Sequence, residues 1–169
     1  MKKIYLAGPE VFLPNSIAIF KEYKKICKEF GFEAFSPFDG EVTKETGLAR
    51  AEKIFKENCQ LIDKVDIIIA NCNRFRGALI DDGTAFEIGY GFAKKKKIFG
   101  YIQKIKTLPQ IVEESIPTLK HSSGYRIDNQ GFLLNEDFGN TINLMIEFSI
   151  KQSGGNLIEG NLKELLKII

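Results

Sequence analysis

Val65-Asp66-Ile67-Ile68-Ile69-Ala70 runs into a polar stretch, residues 71–80, and then into Asp81-Asp82-Gly83-Thr84-Ala85-Phe86-Glu87-Ile88-Gly89-Tyr90-Gly91-Phe92-Ala93. A lysine run at 94–97 and a second apolar run, Ile98-Phe99-Gly100-Tyr101-Ile102, follow. The order reads strand, loop, helix, strand. A run as apolar as 65–70 suggests a central parallel strand buried on both faces. The helix starts near Asp82 or Gly83, which puts acidic side chains at its positive end. Phe86, Tyr90 and Ala93 recur at i, i+4 and i+7 and predict a core-facing stripe. Glu87 lies one turn in, flanked by apolar residues and glycines, where a carboxylate costs free energy unless something uses it. It either favours the helix dipole or serves a site, and these residues alone leave both readings open.

Working outward, residues 2–7 form a short apolar strand that Gly8-Pro9 ends, since Pro9 cannot continue a central ladder. A helix follows from Pro14-Asn15-Ser16 to about Phe30, with Ile19, Tyr23, Ile26 and Phe30 on one face and Gly31 as its stop. Residues 32–36 read as a second strand and 36–47 as a polar loop, placed where α/β proteins carry ligand loops. A second helix spans about 48–64, with Ala51, Phe55, Cys59 and Ile62 inward. Beyond the fourth strand, residues 103–139 lose periodicity except for a short helix near 108–112, and long spans of that kind are usually functional or covered by a partner. Residues 140–151 read as helix, 157–158 as a fifth strand and 161–169 as a closing helix. The alternation predicts one α/β domain over residues 1–169: an open, mostly parallel five-stranded sheet with helices on both faces, flavodoxin- or Rossmann-like.

Composition narrows the function. The 169 residues are 44% hydrophobic and 27% charged, with a net charge of +2, so no basic field calls for nucleic acid. Lys94–Lys97 is a solvated helix end. No apolar run reaches the roughly 20 residues of a membrane span. The chain enters a strand at once, with no secretory signal, and its three cysteines form no C-x-x-C pair, so a cytoplasmic location with reduced thiols is expected. With one histidine, His121, in a loop-like segment, neither a metal site nor a histidine base is expected, and no cofactor.

G-x-G-x-x-G, the P-loop and the G-x-S-x-G elbow are all missing, which removes the main support for dinucleotide, nucleoside-triphosphate and serine-hydrolase readings. Polar groups at strand ends remain: Tyr5 and Glu10, Asp39, and Asn71 to Asp82. In an open parallel sheet these converge on one crevice. Carboxylates plus tyrosine suit glycosyl chemistry, in which a carboxylate attacks an anomeric carbon through an oxocarbenium-like transition state.

Three segments carry a resemblance: Tyr5-Leu6-Ala7-Gly8-Pro9-Glu10-Val11-Phe12, Asp81 through Gly89, and Glu136-Asp137-Phe138-Gly139 with Asn143-Leu144-Met145. In order and spacing they resemble the nucleoside 2-deoxyribosyltransferase family. The resemblance implies that Glu87 is a nucleophile forming a covalent 2-deoxyribosyl intermediate, that Tyr5 orients it, and that Asp81 contacts the nucleobase and helps protonate the leaving ring. It implies substrate contacts at Gly8, Phe12, Asn58 and Gly83. Asn143, with Met145 beside it, would complete a neighbouring subunit's site in a homo-oligomer, a dimer or hexamer. The partners would be deoxynucleosides and free nucleobases.

The chain departs from the family pattern at Asn58, where a second base-binding aspartate is expected; an amide can pair with a base edge but cannot act as an acid. Two rivals stand beside transfer. One is N-glycosidic hydrolysis of a deoxynucleoside or its 5′-monophosphate by the same glutamate, although Pro9-Glu10 argues against a phosphate near strand one. The other is non-catalytic nucleotide binding on the same fold. Each residue also has a plain structural reading: Tyr5 and Met145 as core, Asp81 as helix cap, Asn143 as solvent-facing, Phe12 as loop anchor. The dipole of the Glu87 helix is expected to keep that carboxylate ionised.

Overall fold

The computed structural model describes residues 1–40 and 44–169; the expected loop over 36–47 therefore lies partly outside the described residues. Five strands, β1 (Lys2–Ala7), β2 (Phe32–Phe35), β3 (Ile67–Asn71), β4 (Lys97–Ile102) and β7 (Leu157–Glu159), form one sheet in the order β2-β1-β3-β4-β7, and every pairing is parallel. Helices α1 (Ser16–Glu29) and α6 (Leu162–Leu166) cover one face. Helices α2 (Gly47–Lys64), α3 (Asp82–Ala93) and α5 (Leu144–Gln152) cover the other. The pleat explains the division. Tyr5 and Ala7 of β1 and Ile68 and Ala70 of β3 face α2 and α3, whereas Ile4, Leu6, Ile67 and Ile69 face α1 and α6. The expected α/β architecture is observed. Among the described residues no helix is long and apolar enough to cross a membrane.

The strand order places β1 between β2 and β3, so chain connections leave β1 and β3 in opposite directions. The crevice between their carboxyl ends is the topological switch point, where open α/β sheets take ligands.

Several expectations are corrected. The buried face of α3 is Thr84, Ile88 and Gly91, not Phe86, Tyr90 and Ala93. Glycine is required at 91 because α3 lies close to the sheet there: a Cβ on Gly91 would come 2.1 Å from Ile68 Cδ1. Phe86 instead stacks sideways, with ring centroids 5.9 Å from Tyr90 and 5.7 Å from Phe55 of α2. Phe55 and Ala51 are accordingly exposed, and only Ile62 of α2 is fully buried. Residues 140–143 are not helical. The Glu147 carboxylate accepts the backbone N–H of Thr141 and Ile142 at 2.6 and 3.2 Å, which holds them in a turn, and Asn143 becomes the N-cap of α5. The aperiodic span contains the expected short helix α4 (Leu108–Glu113) and also an antiparallel hairpin, β5 (Thr118–Lys120) with β6 (Arg126–Asp128), too short to show a period. The closing helix is confined to α6.

Close packing of α3 on β3 makes Gly91 the sensitive position. Gly91→Val should destabilise by about 3 kcal/mol through overpacking against Ile68, seen as a lower denaturant midpoint at unchanged slope.

Candidate active site

Helix α3 begins at the switch point because Asp81 caps it. Asp81 is 5% exposed, and its Oδ2 accepts both the Thr84 N–H at 2.8 Å and the Thr84 hydroxyl at 2.9 Å. One carboxylate oxygen therefore satisfies one orphan N–H of the first turn, that of Thr84, together with the Thr84 hydroxyl, and no hydrogen bond among the described residues engages Oδ1. Asp81 is a helix cap that also lines the site.

Glu87 lies on the second turn. Tyr5 is fully buried at the centre of β1, and its hydroxyl donates to Glu87 Oε1 at 2.5 Å. Tyr5 is thus a core residue that also hydrogen-bonds Glu87. Burial, then the charge of Glu87, pushes the Tyr5 phenol far above its ordinary range, so it is a permanent donor. Among the described residues no hydrogen bond engages Glu87 Oε2.

Glu87 opens onto a cavity of about 530 Å³, within the range of small-molecule sites. Gly8, Phe12, Asn58, Asp81 and Gly83 also line it. Among the described residues Asn58 Oδ1 is buried without a hydrogen-bond partner, an acceptor of the kind that a ligand donor completes. The sequence reading missed Phe38, Ile54, Glu57 and Arg50, which share this lining. For the three on α2 a signal was available. Arg50, Ile54, Glu57 and Asn58 fall at i, i+4, i+7 and i+8 of α2, one residue out of step with the stripe read as inward.

Asn143 and Met145 are not brought to Glu87 within one chain. Asn143 is exposed; its Oδ1 accepts the Met145 N–H at 3.1 Å and its Nδ2 donates to Glu136 Oε2 at 2.9 Å. It borders a separate, apolar cavity between the α3 start and α5. Met145 is 70% exposed. Asp39 does not line the cavity, although Phe38 and Gly40 on either side of it do; its carboxylate accepts the Ser36 N–H at 2.6 Å and pairs with Lys24 at 2.5 Å.

Burial raises the Glu87 pKa to about 7, the Tyr5 hydrogen bond opposes that shift and the nearby Asp81 charge adds to it. The expectation that the dipole keeps Glu87 ionised is corrected: desolvation outweighs it. The residue keeps slight solvent access through the cavity, but protein surrounds its carboxyl.

The sequence profile of nucleoside 2-deoxyribosyltransferases matches residues 4–145. The chain belongs to that family. An uncharacterized protein of Schizosaccharomyces pombe is 34% identical over 173 residues, spanning 90% of this chain and 78% of that protein. The solved 2-desoxiribosyltransferase from Leishmania mexicana superposes with a TM-score of 0.68 at 27% identity, covering 95% of this chain and 91% of its own. A conserved protein from Enterococcus faecalis shares the fold at a TM-score of 0.64 and 18% identity, over 99% of this chain and 96% of its own.

A raised carboxyl pKa has a definite sign for stability. The folded state holds the Glu87 proton up to about pH 7, whereas the unfolded state releases it near 4.5. The contribution is therefore full below pH 4.5 and lost as pH rises through 7. Between pH 5 and 8 the wild type should lose on the order of 2 kcal/mol relative to Glu87→Gln, measured by parallel denaturant titrations of the two proteins.

Proposed function

We propose that this chain exchanges the nucleobase of 2′-deoxyribonucleosides by double displacement at Glu87. The observation that carries the reading is the Tyr5–Glu87 pair: one carboxylate oxygen is held at 2.5 Å, no hydrogen bond among the described residues engages the other, and Glu87 lines the cavity. In this reading Oε2 attacks C1′ and the N-glycosidic electron pair leaves with the base. Asp81 contacts the base through Oδ1 and assists its protonation. A second base then attacks the same carbon and releases Glu87. Two inversions give retention, and the kinetics are ping-pong. With a pKa near 7, Glu87 is ionised in a substantial fraction at neutral pH.

A neutral nucleoside is favoured over its 5′-monophosphate because the described lining carries Glu57, Asp81 and Glu87 against Arg50. Phe12 and Phe38 offer apolar faces to a base, and Asn58 offers an amide to its edge. No metal or cofactor enters the scheme. Free thiols at Cys27, Cys59 and Cys72 suit a reducing, cytoplasmic setting.

A panel of 2′-deoxynucleoside donors with a second base present tests the reading. Base exchange is expected, with free deoxyribose as the minor product and ribonucleosides poor donors. Glu87→Gln should lower exchange by at least about a thousandfold while remaining folded. A 2′-fluoro-arabinosyl donor should leave a glycosyl adduct on the Glu87 peptide by mass spectrometry. An adduct elsewhere, or near-normal exchange by Glu87→Gln, sinks the assignment; free deoxyribose as the main product turns it into a hydrolase.

The active unit in this proposal is a dimer or hexamer in which Asn143 and Met145 complete a neighbouring site. Exposed Phe138, Met145 and Phe148, at 73%, 70% and 49%, supply apolar surface beside them. Sedimentation at assay concentration should show an oligomer, and a fully active monomer refutes it.

A further inference from the structure

The switch-point crevice holds a buried acid that the proposed reaction does not use. Glu10 lies in the single turn that leaves β1 and is 5% exposed. Three donors from three elements meet at its Oε1: Asn71 Nδ2 at the end of β3 at 2.7 Å, the Tyr101 hydroxyl of β4 at 3.1 Å and the Tyr23 hydroxyl of α1 at 3.3 Å. Asn71 Oδ1 accepts the Asn73 N–H at 3.0 Å, and Asn73 Oδ1 accepts the Gln103 N–H at 2.9 Å. The network thus crosses from the β1 exit over β3 to the β4 exit.

The other Glu10 oxygen packs on Gly8, where a Cβ would come 2.2 Å from Oε2 and 2.9 Å from Asn71 Cβ. Gly8 and Phe12, on either side of Glu10, both line the Glu87 cavity. Farther out, Phe12 stacks on Phe75 at 4.8 Å, with the Arg76 guanidinium 5.1 and 4.7 Å from the two rings. The loops leaving β1 and β3 are therefore joined twice, by an inner polar tie and an outer aromatic one. Burial first, then the Glu10 charge, raises both the Tyr101 and Tyr23 phenols, so they remain donors. Tyr23 and Tyr101 belong to the α1/α6 face, opposite Tyr5 and Glu87.

A buried carboxylate is costly unless fully bonded, and apolar packing can anchor a loop at lower cost. What the carboxylate adds is direction, because three donors converging on one oxygen define one loop position. We propose that Glu10 is a positioning residue that locks the β1 exit to β3, β4 and α1 and so fixes Gly8 and Phe12 as the wall against which the nucleoside is held. This rests on the deoxynucleoside reading of the cavity. A wall that grips ground state and transition state alike governs KM more than kcat.

The test compares wild type, Glu10→Gln, Glu10→Ala and Asn71→Ala on the fastest 2′-deoxynucleoside donor, well below each variant's melting temperature. Glu10→Gln keeps an acceptor oxygen and should stay within about threefold of wild type in KM, whereas Glu10→Ala should raise KM about tenfold with kcat within about threefold. Asn71→Ala cuts the shortest tie and should raise KM in the same sense, which decides the matter should Glu10→Ala not fold. A lower melting temperature with unchanged KM in the folded variants overturns the proposal, leaving Glu10 structural. A kcat loss at unchanged KM overturns it in favour of a chemical role. A wild type that releases no base fails the functional reading instead. Positioning is then read from calorimetric affinity for 2′-deoxyadenosine in wild type and Glu10→Ala, where equal affinities, or no binding to either, overturn it.

Discussion

A carboxylate enclosed by protein is held against its solvation, and the site is organised around that constraint. The Glu87 carboxyl, on the second turn of α3, is held in place by Tyr5, from the centre of β1, which donates to it at 2.5 Å. That bond works only if α3 sits close to the sheet, which Gly91 permits, and if the helix starts at the switch point, which the Asp81 cap fixes. Packing, capping and site chemistry therefore share the same short segment. Asp81 has two duties: Oδ2 completes the helix, and its charge adds to the upward pKa shift of Glu87.

The fold was legible in the sequence because its signals were long and periodic. Residues 65–70 read as a central strand and 98–102 as the fourth strand, and the helix between them followed from alternation. What failed was the choice of face. In α2 and α3 the aromatic residues looked like core, but Phe55 and Phe86 pair with each other at the surface, and Thr84 and Gly91 are buried instead. Hydrophobic periodicity reports which residues are apolar, not how near a helix approaches its sheet. The β5–β6 hairpin, three residues per strand, carries no period at all.

The site was legible unevenly. Motif segments named Tyr5, Gly8, Phe12, Asp81, Gly83 and Glu87, and the chain brings all of them to one place: Tyr5 stands behind Glu87, and the rest line the cavity. Glu10 was visible as a polar residue near a strand end, inside the first motif segment, but its partners were not, since a buried network of four side chains from four elements has no sequence spacing. The Glu87 pKa was misjudged for a related reason: a helix dipole can be read from a helix start, whereas desolvation depends on everything packed around the group.

Helix α2 carries the cavity residues Arg50, Ile54, Glu57 and Asn58, yet it buries only Ile62 fully. The face that lines the cavity is thus separate from the face that holds the helix to the protein. Substitutions there change the shape and polarity of the cavity while leaving the folded state nearly as stable as before. Such an arrangement lets ligand preference drift among descendants of one ancestor without a compensating repair of the core, while the Tyr5–Glu87 pair, embedded in β1 and α3, has no such freedom.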